Sequence, residues 1–310
     1  MSAFSTRLRS ESGQAMLFLV FALLGLVGIV SLVVDGGSWL RTQRQVQTAA
    51  DAAALAGAQD LPPLTLSQCG SADSRPACAS ARNYAQQNFS GIATPTVTFP
   101  SAGEIDVVAE KPVSGILLPA LNATARAHAR AQVSAPSALK NVAPIAVYKD
   151  YACIVTNPSC FGQTVVLGFD EDNPYDPTKS KFGLLDLDRD GSAGSGDMKN
   201  WLDNGYPDYL PIDTTYPPAN GEKNGIQSQL QAAADAHRVL LFPVYDSATA
   251  TGYHVIGWAA FVIDNIGKWA GKEHVLTGHF TTFLATDLAA GNPITDLSND
   301  FGVHVITLTQ

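Results

Sequence analysis

A run of twenty residues without a charge, residues 15–34, restricts the fold more than any other feature of the sequence. Within it only Ser31 carries a polar side-chain group, and Asp35 follows directly. At 1.5 Å per residue a helix of this length reaches ~30 Å, the thickness of the hydrocarbon core of a bilayer. The run therefore predicts a transmembrane helix.

The residues after the apolar run favour continued helix. Residues 38–60 are rich in Ala, Gln and Arg, contain no Pro, and have Gly only at Gly57. Small side chains recur there at steps of three and four residues, which suits close packing. Two partners are open for this face: a helix of a neighbouring subunit, or the chain's own domain. The predicted helix-packing residues are Gln47, Ala50, Asp51, Ala53, Ala54 and Leu55.

The order of residues around this helix is more specific than its composition. Gly13-Gln14-Ala15 precedes the apolar run, and Gln47-x-Ala-Ala-Asp-Ala-Ala-Ala-Leu-Ala-Gly57 follows it. Residues 10–60 thereby resemble the N-terminal region of the TadE/TadG-like proteins of bacterial Flp (tight-adherence) pilus assembly. The resemblance implies a single-pass protein of the bacterial cytoplasmic membrane. Its implied partners are other Tad/Flp pilus-assembly or pilin-like subunits.

One position distinguishes the two kinds of protein in this family. Pseudopilins of the TadE kind have Glu at the fifth position after the Gly where a prepilin peptidase cuts. In this sequence the fifth residue after Gly13 is Phe18. The chain is therefore more similar to the TadG side, which is expected to stay anchored.

The four cysteines bear on the compartment. Cys69 and Cys78 are nine residues apart, and Cys153 and Cys160 are seven apart. Two local bridges are the simplest pairing, and each would contribute ~2–3 kcal/mol in the chain-entropy model. A metal site is the alternative, but neither pair has Cys-x-x-Cys spacing or a histidine at ligand spacing. Disulfides indicate an oxidising compartment. We therefore predict the N-terminus inside and the C-terminal domains periplasmic or extracellular.

Charge is unevenly distributed along the chain. Residues 1–131 carry nine Lys and Arg against eight Asp and Glu, whereas residues 132–310 carry ten against twenty. An acidic surface repels phosphate, so this distribution argues against nucleic acid as a partner.

Strand patterns organise the rest of the chain. Alternation with a period of two predicts strands over residues 96–99, 104–108 and 123–133, preceded by a helix over 79–88. The apolar segment 115–121 is expected to pack on these strands. The strongest distal strands are predicted over residues 238–245, 254–266, 274–284 and 303–309, after a helix over 226–236.

The predicted fold class is α+β. The long transmembrane helix continues into a small pilin-like α+β module, and a β-rich domain follows, either a sandwich or a partly open barrel. The predicted divisions are a cytoplasmic tail (1–13), the transmembrane and continuing helix (14–60), the small module (61–133), a linker (134–141) and the β-rich domain (142–310).

An acidic loop is the sharpest local motif in the distal half. It has the calcium-loop pattern of acids at positions 1, 3, 5 and 12 with Gly at position 6. Alternate carboxylates in such a loop converge on one hard cation, so we predict a structural Ca²⁺ site. A solvated acidic turn is the alternative. The predicted ligands are Asp186, Asp188, Asp190, the backbone carbonyl of Ser192, and Asp197.

Enzyme signatures are missing from the sequence. It has no Gly-x-Ser-x-Gly and no His-Glu-x-x-His. His254, His279 and His304 lie on different predicted strands; they either converge on a metal or bond locally. We therefore predict a structural protein without enzymatic activity. The alternative is an anchored exported carbohydrate-binding module or hydrolase that uses the helix only as an anchor.

Overall fold

The computed structural model describes residues 12–61, 68–70, 72–117, 122–155, 157–191, 193–219, 223–285, 290–293 and 300–309. Nearly all of the predicted cytoplasmic tail lies outside these residues. The helices are α1 (Ser12–Gln59), α2 (Pro76–Asn88), α3 (Ser195–Asn204) and α4 (Gln227–Asp235). The strands are β1 (Thr96–Thr98), β2 (Glu104–Ser114), β3 (Asn122–Pro136), β4 (Ala138–Leu139), β5 (Ile145–Tyr148), β6 (Thr164–Asp170), β7 (Phe182–Leu184), β8 (Leu210–Pro211), β9 (Thr214–Tyr216), β10 (Val239–Thr249), β11 (Gly252–Ala270), β12 (Glu273–Thr281), β13 (Phe283–Leu284), β14 (Ala290–Pro293) and β15 (Val303–Leu308).

Helix α1 is one continuous helix of 48 residues, which corresponds to ~72 Å at 1.5 Å per residue. Its segment Met16–Gln59 is long and apolar enough to cross a membrane, by length and composition. Between residues 16 and 34 every side chain except that of Ser31 is exposed. The Ser31 hydroxyl donates to the Val27 carbonyl oxygen at 2.8 Å. An apolar surface around the whole circumference is typical of a helix in lipid, in agreement with the transmembrane prediction.

The first sheet has the strand order β1-β2-β3-β15-β13, with β14 also paired to β3. Strands β2 and β3 form a long antiparallel hairpin in which Val107 lies opposite Ala129. Odd-numbered residues from both strands are buried and share one core with α1 and α2. Pro76 begins α2, as its fixed φ favours the first turn of a helix. This arrangement confirms the strands and the helix predicted for the small module.

The second sheet has the order β6-β12-β11-β10-β5-β7, and β9 pairs with β11. Its core is rich in aromatic side chains, among them Phe242, Phe261 and Phe280. Helices α3 and α4 add Trp201 and Leu230 to the same core. The sheet curls around these side chains, so the predicted α+β class with a β-rich C-terminal part is confirmed.

Two segments have partners that the sequence pattern does not indicate. The pattern groups residues 303–309 with the distal strands, but β15 pairs with β3 of the first sheet, with Val305 opposite Ser134. Residues 134–141, expected to form a linker, are largely strand: β3 continues to Pro136, and β4 pairs with β8. Alternation reports that one face of a strand is buried; it does not report which strand lies alongside.

One buried tryptophan links the two sheets. The indole N–H of Trp258 in β11 donates to the carbonyl oxygen of Pro136, the last residue of β3, at 3.1 Å. The next residue, Ala259, bridges to Gly302 just before β15. The chain returns at its C-terminal end to the first sheet, so the second sheet is tied to the first at both of these points.

Candidate functional site

The small residues of α1 beyond the span face the inside of this chain. Ala50, Ala53 and Ala54 are fully buried, and they lie in one core with Ile105 of β2 and the alanines of β3. Alanine projects only a methyl group, so helix and sheet approach closely. The sequence leaves two partners open for this face. In the structure the face packs on the chain's own domain.

Gln47, Asp51 and Leu55, the other predicted packing residues, are half-buried. They lie at the border between the buried face and the exposed face of α1. The Gln47 side-chain amide donates to the Asp51 carboxylate at 2.8 Å, one turn further along the helix. This bond fixes the orientation of Gln47 towards the sheet.

Two glutamines of α1 satisfy backbone groups at the edge of β3. Strand β15 pairs with β3 over residues 131–134, and nearer to the membrane span this edge faces α1. The Gln43 amide donates to the Arg126 carbonyl oxygen and accepts from the Arg126 backbone N–H at 3.2 Å. Gln47 donates to the His128 carbonyl oxygen at 3.1 Å. These amides thus replace the backbone of a neighbouring strand, which meets the general need of backbone groups for partners.

The sequence did not indicate the role of these glutamines. Gln43 was not among the predicted residues, and its partner Arg126 lies 83 positions away in the chain. Helical periodicity places both glutamines beside the buried stripe, since they are three and seven positions before Ala50. It carries no information on the strand edge that they contact.

The outer face of the β2–β3 hairpin is charged. Asp106 lies between two side chains that bond to it: His128 Nε2 is 2.8 Å from both carboxylate oxygens, and Arg130 Nη2 is 2.9 Å from one of them. Burial by itself raises the pKa of the Asp106 carboxyl, but the hydrogen bonds from His128 and Arg130 outweigh it and lower that pKa below its usual value. Arg126 makes a further pair with Glu110 at 3.2 Å. The hairpin is therefore apolar towards α1 and ionic towards water.

We expect the Asp106 carboxylate to stabilise the fold at neutral pH and to stop doing so in acid. Its pKa is lower in the folded chain than the ~3.9 of an unfolded aspartate, so its contribution is present above that value and is lost as the pH falls through the folded pKa. Asp106→Asn should thus lower the free energy of unfolding at pH 7 and make no difference in strong acid. Urea unfolding of the full-length protein in detergent at both pH values checks this. An equal loss at both would contradict it.

One face of α1 beyond the span remains exposed. Leu40, Arg44 and Thr48 follow one another at four-residue steps, and all three are exposed. Residues at this spacing lie on one side of a helix. This exposed face, Leu40–Arg44–Thr48, is opposite to the buried alanine stripe.

Both predicted disulfides are present. Cys69 pairs with Cys78 and Cys153 with Cys160, with Cα atoms 5.8 Å and 5.7 Å apart. These separations lie in the usual range for disulfides. The first bridge ties the loop after α1 to the first turn of α2, and the second closes a short loop between β5 and β6. The local pairing predicted from spacing is therefore confirmed.

Three of the predicted calcium ligands come together. Asp186, Asp188 and Asp190 each offer a carboxylate oxygen, and these oxygens lie within 4.8 Å of one another. Asp186 is buried and accepts backbone hydrogen bonds from Arg189 at 3.2 Å and Gly191 at 2.9 Å. The hydrogen bond between the Asp186 and Asp188 carboxyl groups, together with lost hydration, raises the pKa of Asp188 to about 6. Carboxylates this close favour either a shared proton or a bound cation.

Asp197, the fourth predicted aspartate ligand, is not part of this cluster. Asp197 lies in the first turn of α3 and accepts a hydrogen bond from the Gly194 backbone N–H at 3.1 Å. That bond satisfies one of the amides left free at the start of a helix. Ser192 lies outside the described residues. The structure thus assembles the first half of the loop pattern and uses Asp197 as a helix cap.

The three distal histidines do not meet at a common point. Each bonds to a carboxylate of its own, which satisfies one ring nitrogen locally. The pairs are His254 with Asp246 at 2.9 Å, His279 with Asp264 at 3.0 Å, and His304 with Asp300 at 2.8 Å. The sequence left open whether these histidines converge on a metal or bond locally. In the structure they bond locally.

Comparison with known proteins bears on α1 alone. Residues 13–60 match the family model described as "Putative Flp pilus-assembly TadE/G-like". No curated protein and no solved structure matches the chain. The matched segment contains the candidate membrane span, the alanine stripe, both edge glutamines and the exposed face. The N-terminal region of this protein, residues 13–60, is therefore similar to the TadE/G-like family that this model describes.

Proposed function

We propose that this protein is a membrane-anchored structural component of Tad/Flp-type pilus assembly. The observation that carries the proposal is the continuity of α1. One helix supplies the candidate membrane span, matches the pilus-assembly family and then forms the core of the first module. The span and the module are therefore one continuous structural unit. Such a unit holds a folded domain at a fixed height above a membrane, as a structural subunit of an envelope assembly must.

The disulfides support the orientation in the membrane. One bridge belongs to the first module and the other to the distal part, so both parts lie in an oxidising compartment. We accordingly place the N-terminus in the cytoplasm and everything after the span in the periplasm or outside the cell.

Partner subunits are proposed to pack on the exposed face of α1. The buried alanine stripe is already used by the chain's own sheet, whereas Leu40, Arg44 and Thr48 are open. They lie within the residues that match the family. A large substitution at Ala50 would damage the fold itself, so partner packing has to be tested on this face.

The test compares two threonines that are both exposed. Thr48→Trp alters the exposed face of α1, and Thr164→Trp places the same bulk on β6 of the second sheet. We expect Thr48→Trp to abolish surface pili, counted by electron microscopy, while the protein stays in the membrane with both disulfides formed. Thr164→Trp should leave pili at the wild-type number. Normal pili in Thr48→Trp cells would refute packing through this face, and normal pili after deletion of the gene would refute the function.

An anchored carbohydrate-binding module is the second candidate function, and a cavity favours it. The cavity measures about 610 Å³ beside the second disulfide, and its lining includes Lys149, Asp150, Tyr151 and Asn157. Aromatic and polar side chains together suit sugars. Asn157→Ala and Tyr151→Ala should then abolish binding to a glycan array while pili remain normal. Loss of pili in Thr48→Trp cells, together with no glycan binding by the wild-type protein, supports the first candidate.

Calcium binding by the acidic loop stays a prediction. With a Kd of ~10⁻⁴ M, calcium at ten times that concentration would stabilise the fold by ~1.4 kcal/mol. We expect calcium to raise the melting temperature of the full-length protein in detergent, a chelator to reverse the rise, and Asp186→Asn to abolish the response. Asp172→Asn, an exposed aspartate bound by Lys272, is the control. No response in the wild type would leave the solvated acidic turn as the correct interpretation.

A further inference from the structure

The end of the β2–β3 hairpin exposes two large apolar side chains. The hairpin's last pair is Ser114 with Asn122, and Ile116 and Leu117 follow β2 after one intervening residue, Gly115. Ile116 is 63% exposed and Leu117 46%. The sequence pattern predicts that segment 115–121 packs on the strands, but its described side chains point away from the core; residues 118–121 lie outside the described part of the chain. Two adjacent exposed aliphatic residues at one loop form a small apolar patch, and exposed apolar patches can mark interaction sites.

The hairpin end is fixed to α1 at the end of the apolar run. The Asp35 carboxylate accepts hydrogen bonds from the backbone N–H groups of Ile116 at 2.7 Å and Leu117 at 3.0 Å. Asp35 is the residue that immediately follows the uncharged run 15–34. The two apolar side chains are therefore held level with the point where the helix leaves the hydrocarbon core of a bilayer.

We propose that Ile116 and Leu117 insert into the interfacial layer of the same membrane that α1 crosses. This inference rests on the membrane anchoring in the proposed function. Continuity with the span selects lipid as the occupant, because the apolar surface of residues 16–34 ends at the level of the hairpin end. Trp39, one turn beyond Asp35 and exposed, adds an aromatic side chain of the kind enriched at this layer.

The hydrogen bonds to Asp35 remove the main obstacle to such insertion. Unpaired backbone N–H groups are costly to bring near lipid, and those of Ile116 and Leu117 already have a partner. The module then meets the membrane at two places, through α1 and through the hairpin end. Two contacts fix the direction in which the first sheet faces, whereas a helix alone leaves rotation about its own axis free.

Fluorescence quenching by lipid tests the proposal. Single cysteines for a fluorescent label are introduced as Ile116→Cys, Tyr84→Cys and Ile29→Cys, each in the full-length protein with both disulfides intact by mass. Tyr84 is also an exposed residue of the module, but it lies on α2. Helix α2 packs on α1 at Gly57, which is ~33 Å beyond Asp35 along α1 at 1.5 Å per residue. The labelled proteins are reconstituted in vesicles of phosphatidylethanolamine and phosphatidylglycerol. Part of the lipid carries bromine on the acyl chain close to the headgroup.

The three labels separate the inference from the anchoring on which it rests. We expect the label at position 116 to be quenched several-fold more strongly than the label at position 84, and the label at position 29 to be quenched as well. Quenching at 29 with equal, weak quenching at 116 and 84 would overturn the inference and leave the anchoring intact. A second copy or a protein partner covering the hairpin end would give that result. Absence of quenching at position 29 would overturn the anchoring.

Discussion

Replacing Gly57 by leucine is expected to unfold the module built from α1, α2 and the first sheet. A Cβ at this position would collide with Ile105 Cδ1, and it would lie 3.0 Å from the Ala77 carbonyl oxygen and 3.1 Å from Ala81 Cβ. The carbonyl belongs to the backbone of α2, so it can move away only if the whole helix moves. Overpacking costs ~1–3 kcal/mol and more for a large group. A domain has only ~5–15 kcal/mol in total.

Gly37 provides the matched control on the same helix. An added Cβ at Gly37 has no atom within 4 Å, so Gly37→Ala should retain wild-type stability or gain part of the ~1 kcal/mol by which alanine exceeds glycine in helix propensity. Gly57→Ala should lose stability despite the same gain. Urea unfolding of the full-length protein in detergent measures both, and hydrogen exchange of α2 and β2 amides locates the loss. Wild-type protection of those amides in Gly57→Leu would show that the contact is not tight.

Replacing Trp258 by alanine is expected to give the second large loss. The indole is almost fully buried, and truncating a buried tryptophan typically costs ~3–5 kcal/mol. The change also leaves the Pro136 carbonyl oxygen without its donor, which adds the penalty of an unsatisfied buried group. Because this bond joins β11 to the end of β3, we expect the two sheets to lose protection together.

Trp258→Phe separates packing from hydrogen bonding. Phenylalanine keeps an aromatic ring in the core but donates no hydrogen bond. Trp258→Phe should therefore lose less stability than Trp258→Ala, and the loss should be confined to the junction between the sheets. Hydrogen exchange around β3 residues 134–136 and β11 measures this, alongside urea unfolding. If Trp258→Ala left both sheets as stable as in the wild type, the junction would contribute nothing to the fold.

Local interactions explain the parts of the fold that the sequence predicts well. The long apolar helix follows from an uncharged run of membrane length, and its continuation follows from helix propensity and the absence of proline. Strands β2 and β3 follow from alternation with a period of two. The disulfides follow from short spacing, since Cys69–Cys78 and Cys153–Cys160 close small loops. Each of these features depends on residues close together in the chain.

The candidate site was predicted less well because its contacts are distant in sequence. The alanine stripe was recognised as a packing face, but periodicity shows that a face is buried and not what covers it. Gln43 and Gln47 contact a strand edge more than 80 positions away. Of the predicted calcium ligands, three aspartates meet, whereas Asp197 caps α3 instead.

The sequence by itself determined that this chain has a membrane-length helix with a TadE/G-like order of residues, followed by a small mixed module and a β-rich remainder. Only the tertiary structure decided that the alanine stripe packs on the chain's own sheet, that β15 returns to β3, and that Asp35 holds the hairpin end. The physical reason is that hydrophobic burial and backbone pairing are satisfied equally well by many partners. The choice among them depends on the simultaneous packing of the whole chain.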